Sequence, residues 1–290
     1  MQWVIFPMLN PDGYEYSRQK DNLWRKNRNL NVNLCRANQT DPESYIVPCK
    51  DDCIGVDLNR NYDAKWGTHE INRDPCGHIF QGSEKFSEIE TRRQKDEMSL
   101  LKDVKAYVSY HSYGEMILYP FSMSKSVPAK NKMQLHFAAT SIMNAIQNRT
   151  GNKYEVKRGG PSDYDIVGIS SDYYKLRGVQ YCYTIELPPS SEEPGSLSEK
   201  FQPHRSRIKK VCQENFAGII ALYEKTRPEK NDCTEECVHP AGCSFFKNSI
   251  ICDRNKYRKG WWNGSKYLSL NLIIPIFIFE DIENKEENLE

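Results

Sequence analysis

The sequence predicts an α/β fold, a central sheet covered by helices on both faces, and three patterns carry that expectation. Short apolar or alternating stretches of strand length recur at residues 104–110, 116–119 and 179–187. Longer segments between and after them space their apolar residues as helices do. Leu135, Ala138, Ala139, Ile142 and Ile146 form one such series, and Ile208, Val211, Cys212, Ile219 and Leu222 another. Strands that alternate with helices of this length build a sheet layered between helices.

Taken in order, residues 3–9 read as a short, mostly apolar strand of the kind buried in a parallel sheet. Asn10-Pro11-Asp12-Gly13 follows and reads as a sharp turn, since Asn-Pro and Asp-Gly both favour reversals. Residues 14–84 are polar and rich in loop signals, and 35–53 reads as an inserted, cross-linked surface loop. A helix is expected to open near Ser87, where Ser87 and Glu90 fit a capping box, and to carry Ile89, Met98 and Leu101 inward. The strand at 104–110 ends at His111, and Gly151 is the expected stop of the helix through Ile146. In 179–187, Val179, Tyr181, Tyr183, Ile185 and Leu187 share one face; Gln180, Cys182, Thr184 and Glu186 share the other. A long amphipathic helix is expected at about 204–225.

After Arg227 the pattern stops. Residues 1–227 are therefore expected to form one domain and 228–290 a polar, Cys-bearing tail. Residues 268–279 are apolar, but that run is too short for a membrane span. The charged residues after it give no lipid-anchor signal.

Charge excludes some partners. The 40 Lys and Arg nearly balance the 39 Asp and Glu, a formal net charge of +1. That supplies no field for nucleic acid or an anionic membrane, so function is expected in local chemistry. Ten cysteines point to an oxidising compartment. Sequons at Asn38, Asn148 and Asn263 fit a secreted protein, although Met1-Gln2-Trp3 opens no signal peptide.

Four blocks stand in a telling order: Asn10-Pro-Asp-Gly13, Leu23-Trp-Arg-Lys26, Gly55-Val-Asp-Leu-Asn-Arg-Asn-Tyr-Asp63 and Tyr110-His-Ser-Tyr113. In that order they resemble the zinc carboxypeptidases of the pancreatic A/B type. The resemblance covers residues 3 to about 226. It implies a mixed, mostly parallel central sheet flanked by helices, and the release of single C-terminal residues from peptides and proteins. The implied partner is a peptide or protein with a free C-terminus, acted on outside the cell by a monomer.

Such chemistry needs three metal ligands and an open water position, a base, an oxyanion donor and a clamp for the substrate carboxylate. By resemblance His111 is the third zinc ligand, although a lone histidine at a strand end is ordinarily a satisfied structural group. Glu186 corresponds to the general base; its face of the strand otherwise holds small or uncharged residues, which suits a half-buried carboxyl with a raised pKa. Arg25 corresponds to the oxyanion stabiliser, though in the run Arg25, Lys26, Arg28 it would ordinarily read as a solvated face. Asn59 and Arg60 correspond to the carboxylate clamp, for which a planar guanidinium is suited and a lysine is not. Tyr164, eight residues before Asp172, corresponds to a mobile tyrosine over the substrate. Ser171 stands where the A and B types differ, with Asp163 and Ile166 as further candidates for the pocket wall. Cys53 and Cys76, 23 residues apart, correspond to the family's disulfide. Zinc binding by the Cys-x3-Cys pairs at Cys49/Cys53 and Cys233/Cys237 is the competing reading.

One motif is not found. None of the six histidines is followed by Glu at the third position, so the chain has no His-x-x-Glu, which the family places well upstream of Asn10. One zinc ion is expected in the complete protein and none at this site in the chain alone. The expectation is therefore an N-terminally incomplete sheet, its first strands and helix missing and an internal strand left with an open edge. Three readings follow: a longer, active metallocarboxypeptidase; a non-catalytic module that binds peptide C-termini; or a truncated product.

Overall fold

The computed structural model describes residues 2–30, 34–36, 46–48, 53–159, 165–190, 200–202, 204–227, 243–246, 249–252 and 276–280. The chain falls into two compact units, 1–226 with 272–290, and 227–271. The expected tail, 228–290, is thus divided: its first part lies in the second unit, and 272–290, with the strand at 276–280, goes with the first.

Strand β1 (Gln2–Phe6) leads into helix α1 (Pro11–Gln19), then a short antiparallel pair, β2 (Leu34–Arg36) and β3 (Ile46–Pro48). Helix α2 (Ile89–Leu100), β4 (Val104–Ser112), β5 (Met116–Tyr119), α3 (Lys132–Thr150) and β6 (Glu155–Arg158) follow. Next come α4 (Ser170–Leu176), β7 (Tyr181–Leu187) and α5 (Arg205–Thr226). The second unit contains an antiparallel pair, β8 (Cys243–Phe246) and β9 (Ser249–Cys252). Strand β10 (Ile276–Glu280) completes the order.

The main sheet is mixed, with the order β1-β10-β4-β7-β5-β6 among the described residues. β4/β7 and β5/β6 are parallel; β1/β10, β10/β4 and β7/β5 are antiparallel. Both faces are covered. Ala106, Val108, Tyr181, Tyr183 and Ile185 pack into one cluster with Leu135, Ile142 and Ile146 of α3 and Ile219 and Leu222 of α5. On the other face Tyr107 and Cys182 pack with Met98 of α2 and Tyr174 of α4. This two-sided burial explains why β4 and β7 carry few exposed polar residues.

Several local expectations are corrected. Asn10-Pro-Asp-Gly opens α1 instead of making a free turn: the Asn10 side chain accepts from the Gly13 N–H at 3.1 Å, and Pro11 sits where a helix needs no donor. Among the described residues β1 is an edge strand, paired antiparallel with β10 and not within a parallel ladder, and Ile5 is exposed. α2 begins without a capping box, because Ser87 donates to the Glu88 side chain. The Asn61 carboxamide instead accepts from the Glu88 N–H and the Thr91 hydroxyl. That cap rotates Ile89 out to solvent and buries Thr91, Gln94 and Met98. In α5, Ile208 is exposed and the buried face is Glu214, Asn215, Gly218, Ile219 and Leu222. α3 buries the five apolar residues expected and stops at Gly151, whose φ is +83°. The apolar run in the tail contributes β10, and among the described residues no helix is long and apolar enough to cross a membrane.

Candidate functional site

The site is assembled from loops that the fold brings to one end of β4 and β7. The segment 55–63 crosses beneath Asn27, whose carbonyl lies against Gly55; Gly55 has φ +78°, a conformation a side chain would strain. Asp57 then caps a short 3₁₀ turn, Leu58–Arg60, by accepting from the Asn59 N–H at 3.0 Å. Gly168 (φ +72°) packs against the Arg60 carbonyl, receives the Tyr62 N–H at 3.1 Å and donates to Ala64 O at 2.8 Å. Arg25 is set from the other side, where the Asn10 Nδ2 donates to the Lys26 carbonyl at 3.1 Å. Cys53 and Cys76 are disulfide-bonded and close the loop around this segment. In the rest of the basic run, Lys26 is buried and donates to Pro75 O at 2.7 Å, and Arg28, half-buried, stacks 3.7 Å from the Tyr16 ring centroid.

The electrostatic centre is Asp57, a residue that sequence reading left without a role. It is 3% exposed. Its Oδ2 accepts from Arg25 Nε at 2.7 Å and lies 3.9 Å from Arg60 Nη1. Burial alone would raise its pKa, but the charges of Arg25 and then Arg60 outweigh that and hold the carboxyl below its usual range. An aspartate two residues before Asn-Arg that caps its own turn was the available signal. Two guanidinium groups thus flank one buried carboxylate, and both also act on Glu186.

Asn59 joins the parts. Its Oδ1 accepts from the Ser170 N–H at 3.0 Å, and its Nδ2 lies 3.3 Å from His111 Nε2, which is also 3.1 Å from Ser109 Oγ. An amide nitrogen can only donate, so Nε2 is the accepting nitrogen and the ring proton is assigned to Nδ1. Burial, helped by Arg25, pulls the His111 pKa down to about 4, which keeps the ring neutral. Glu186 stands opposite His111 in the parallel β4/β7 register. Burial pushes its carboxyl up to about 7 against the lowering charges of Arg25 and Arg60. A cavity of about 330 Å³ is lined by Arg25, Asp57, Asn59, Ser109, His111 and Ser170, with residues 6–10 as its other wall.

Arg25, Asn59 and His111 thus share one cavity, and Arg60 and Glu186 act on it electrostatically. Ser171 does not line it: the Ser171 hydroxyl is buried 3.1 Å from that of Thr184, and its neighbour Ser170 faces the cavity. Tyr164 and Asp163 lie outside the described residues. So do Cys49, Cys233 and Cys237. Among the described residues no three His, Cys, Asp or Glu side chains converge where a metal could bind. His111 and Glu186 do not by themselves make a zinc site.

Residues 1–218 match the family model for zinc carboxypeptidases. The chain belongs to the zinc carboxypeptidase family. It is 34% identical over 223 residues to carboxypeptidase B of Helicoverpa zea, covering 75% of this chain and 48% of that protein. Against human carboxypeptidase B the identity is 30% over 226 residues, covering 77% and 48%. The solved carboxypeptidase A of Helicoverpa armigera superposes with a TM-score of 0.63 at 29% identity, covering 76% of this chain and 50% of that one. This zinc carboxypeptidase chain therefore spans about half the length of the curated relatives it matches.

Proposed function

We propose that the cavity binds the free carboxylate end of a peptide or protein. The observation that carries this is the sharing of one buried carboxylate, Asp57, by Arg25 and Arg60 beside the Asn59 amide. Arg25, on the lining, and Arg60, whose charge acts on the cavity, present planar guanidinium groups to an incoming carboxylate. Arg60 and Asn59 clamp that carboxylate. Arg25, whose charge acts on Glu186, would stabilise the oxygen charge that develops during cleavage. Glu186, half-buried with a carboxyl near neutrality, is suited to take up and return a proton during peptide cleavage.

Family membership supports the further reading that the complete protein is a zinc-dependent exopeptidase releasing single C-terminal residues, with His111 as one ligand. The described residues do not by themselves form the metal's site. The Cys53–Cys76 disulfide supports action outside the cell. A second reading, a peptide C-terminus binder without catalysis, is favoured by the same lack of a converging ligand set among the described residues.

Calorimetric titration with a peptide bearing a free C-terminus, and with its C-terminal amide, tests the clamp. Arg60→Lys should weaken binding of the free acid by about 2–4 kcal/mol, roughly 30- to 1,000-fold, and leave the already weak amide nearly unchanged. Equal losses on both peptides would remove Arg60 from the clamp. Metal analysis alongside a residue-release assay separates the two readings: one zinc per chain with release of C-terminal residues favours the enzyme, and binding alone favours the binder.

A further inference from the structure

Helix α4 carries the Ser170 N–H that holds Asn59, yet it is only 7 residues long and begins at Ile169 without a side-chain cap. So short a helix is not fixed by its own hydrogen bonds, and contacts outside it must set its position. Its first turn, Ser170, Ser171 and Asp172, is buried throughout. The carboxylate of that turn reaches across to another segment. Asp172 Oδ2 accepts from the Ser122 N–H at 2.9 Å and from the Met123 N–H at 2.8 Å.

The donating segment follows β5 and is braced independently of Asp172. The Ser122 carbonyl accepts from the Ile166 N–H at 2.9 Å, and the Met123 carbonyl accepts from Lys65 Nζ at 2.9 Å. The Lys125 N–H donates to the Asp165 side chain at 2.9 Å, and Met123 packs with Ala64 and Val167 in a small core of its own. Asp172 thus clips the start of α4 to a fixed stretch of backbone. From there the path to the cavity is short: the Ser170 N–H donates to Asn59 Oδ1 at 3.0 Å, and Asn59 Nδ2 lies 3.3 Å from His111 Nε2. Asp172 itself does not line the cavity. Both of its bonds go to one oxygen, and Oδ1 is buried without a hydrogen-bond partner. The link therefore needs an acceptor at one place, which an asparagine oxygen could also supply.

We propose that Asp172 is a positioning residue for the carboxylate clamp: by tying the first turn of α4 to residues 122–123 it sets where Ser170 holds Asn59. The proposal rests on the reading of Asn59 as part of the clamp.

Calorimetric titration of the full chain with the free-acid peptide and with its amide tests it. An unfolded fraction lowers the measured stoichiometry, whereas a misplaced clamp raises the Kd. Asp172→Ala should weaken free-acid binding by about tenfold or more at unchanged stoichiometry, and leave the amide unchanged. Asp172→Asn, which can keep both bonds, should bind within about threefold of the parent. Asp172→Glu keeps the charge but lengthens the link, so it should lose affinity as the alanine variant does, and it serves where Asp172→Ala does not fold. In an Asn59→Ala background Asp172→Ala should add less than about a threefold loss, since both changes break one path. Parent affinity in whichever of the Ala and Glu variants folds would overturn the proposal. So would a loss of about tenfold in Asp172→Asn, or additive losses on the Asn59→Ala background. A parent that does not prefer the free acid to the amide would remove the clamp and this proposal with it.

Discussion

Asp57→Asn is the most informative single change, because it keeps the side-chain shape and removes only the charge that two arginines share. The Asn oxygen can still cap Asn59, so the 3₁₀ turn is retained. What is lost is the charge-assisted bond to Arg25 at 2.7 Å and the weaker attraction to Arg60 at 3.9 Å. Breaking a fully buried pair costs about 3–5 kcal/mol. Arg25, however, keeps 37% of its side chain exposed and can rehydrate, so the expected loss is lower, about 2–3 kcal/mol. The pH dependence provides an independent check. The folded-state pKa of Asp57 is lowered, so its contribution is present above the unfolded carboxylate value and is lost as pH falls through the folded one. The gap between parent and variant should therefore be constant from pH 5 to 7 and close below about pH 4. Urea unfolding with the disulfide intact, at a series of pH values, measures both. A variant within 0.5 kcal/mol of the parent, or a gap that persists unchanged at pH 2, would refute the view that Asp57 is the shared counter-ion (both thresholds roughly set by the size of surface effects).

Asp172 should act with the opposite sign. It is fully buried, accepts from the Ser122 and Met123 N–H groups, and burial pushes its carboxyl up to about 7. Its stabilising contribution is thus complete below the unfolded value and lost as pH rises through about 7. Asp172→Asn should flatten the fall in stability between pH 4 and 7, by up to about 1.4 kcal/mol per pH unit, in the same unfolding series. Gly168→Ala should cost more than about 1 kcal/mol and weaken binding of a free C-terminus, because its positive φ and the Arg60 carbonyl leave no room for a methyl group; unchanged urea midpoint and affinity would contradict this. Glu214→Ala should cost about 3 kcal/mol or more, since Thr150, Asn152 and Tyr154 all donate to this buried carboxylate and each would lose its acceptor. Thermal melts of the variant beside Ile208→Ala, an exposed position on the same helix, supply the comparison.

Much of the fold was legible because short-range pattern decided it. The helix α3 was readable from five apolar residues and a terminal glycine, since burial against one layer imposes the 3.6-residue period and Gly151 takes the left-handed turn without a Cβ penalty. β5 was readable to the residue for a similar reason. Where a distant group supplied the hydrogen bond, local reading failed. Ser87 and Glu90 carry the spacing of a capping box, but Asn61, far away in sequence, satisfies the helix start and turns Ile89 outward. Nothing in the local sequence marks Glu214 as buried, and only the packing of α5 against the end of α3 and the residues that follow it surrounds it with donors.

The site divides along the same line. The sequence by itself supplied the residue types, the Asn59-Arg60 pair, Arg25, His111 and Glu186, in an order that resembles the zinc carboxypeptidases, and it was that resemblance, not local pattern, that attached roles to them. Tertiary structure decided that Asp57 binds both arginines, that Ser170 and not Ser171 reaches the cavity, and that β1 joins the sheet through a strand from far along the chain. The reason is physical. A charge pair or a strand ladder depends on distances across the fold, and those are set by packing the whole domain rather than by any window of the sequence.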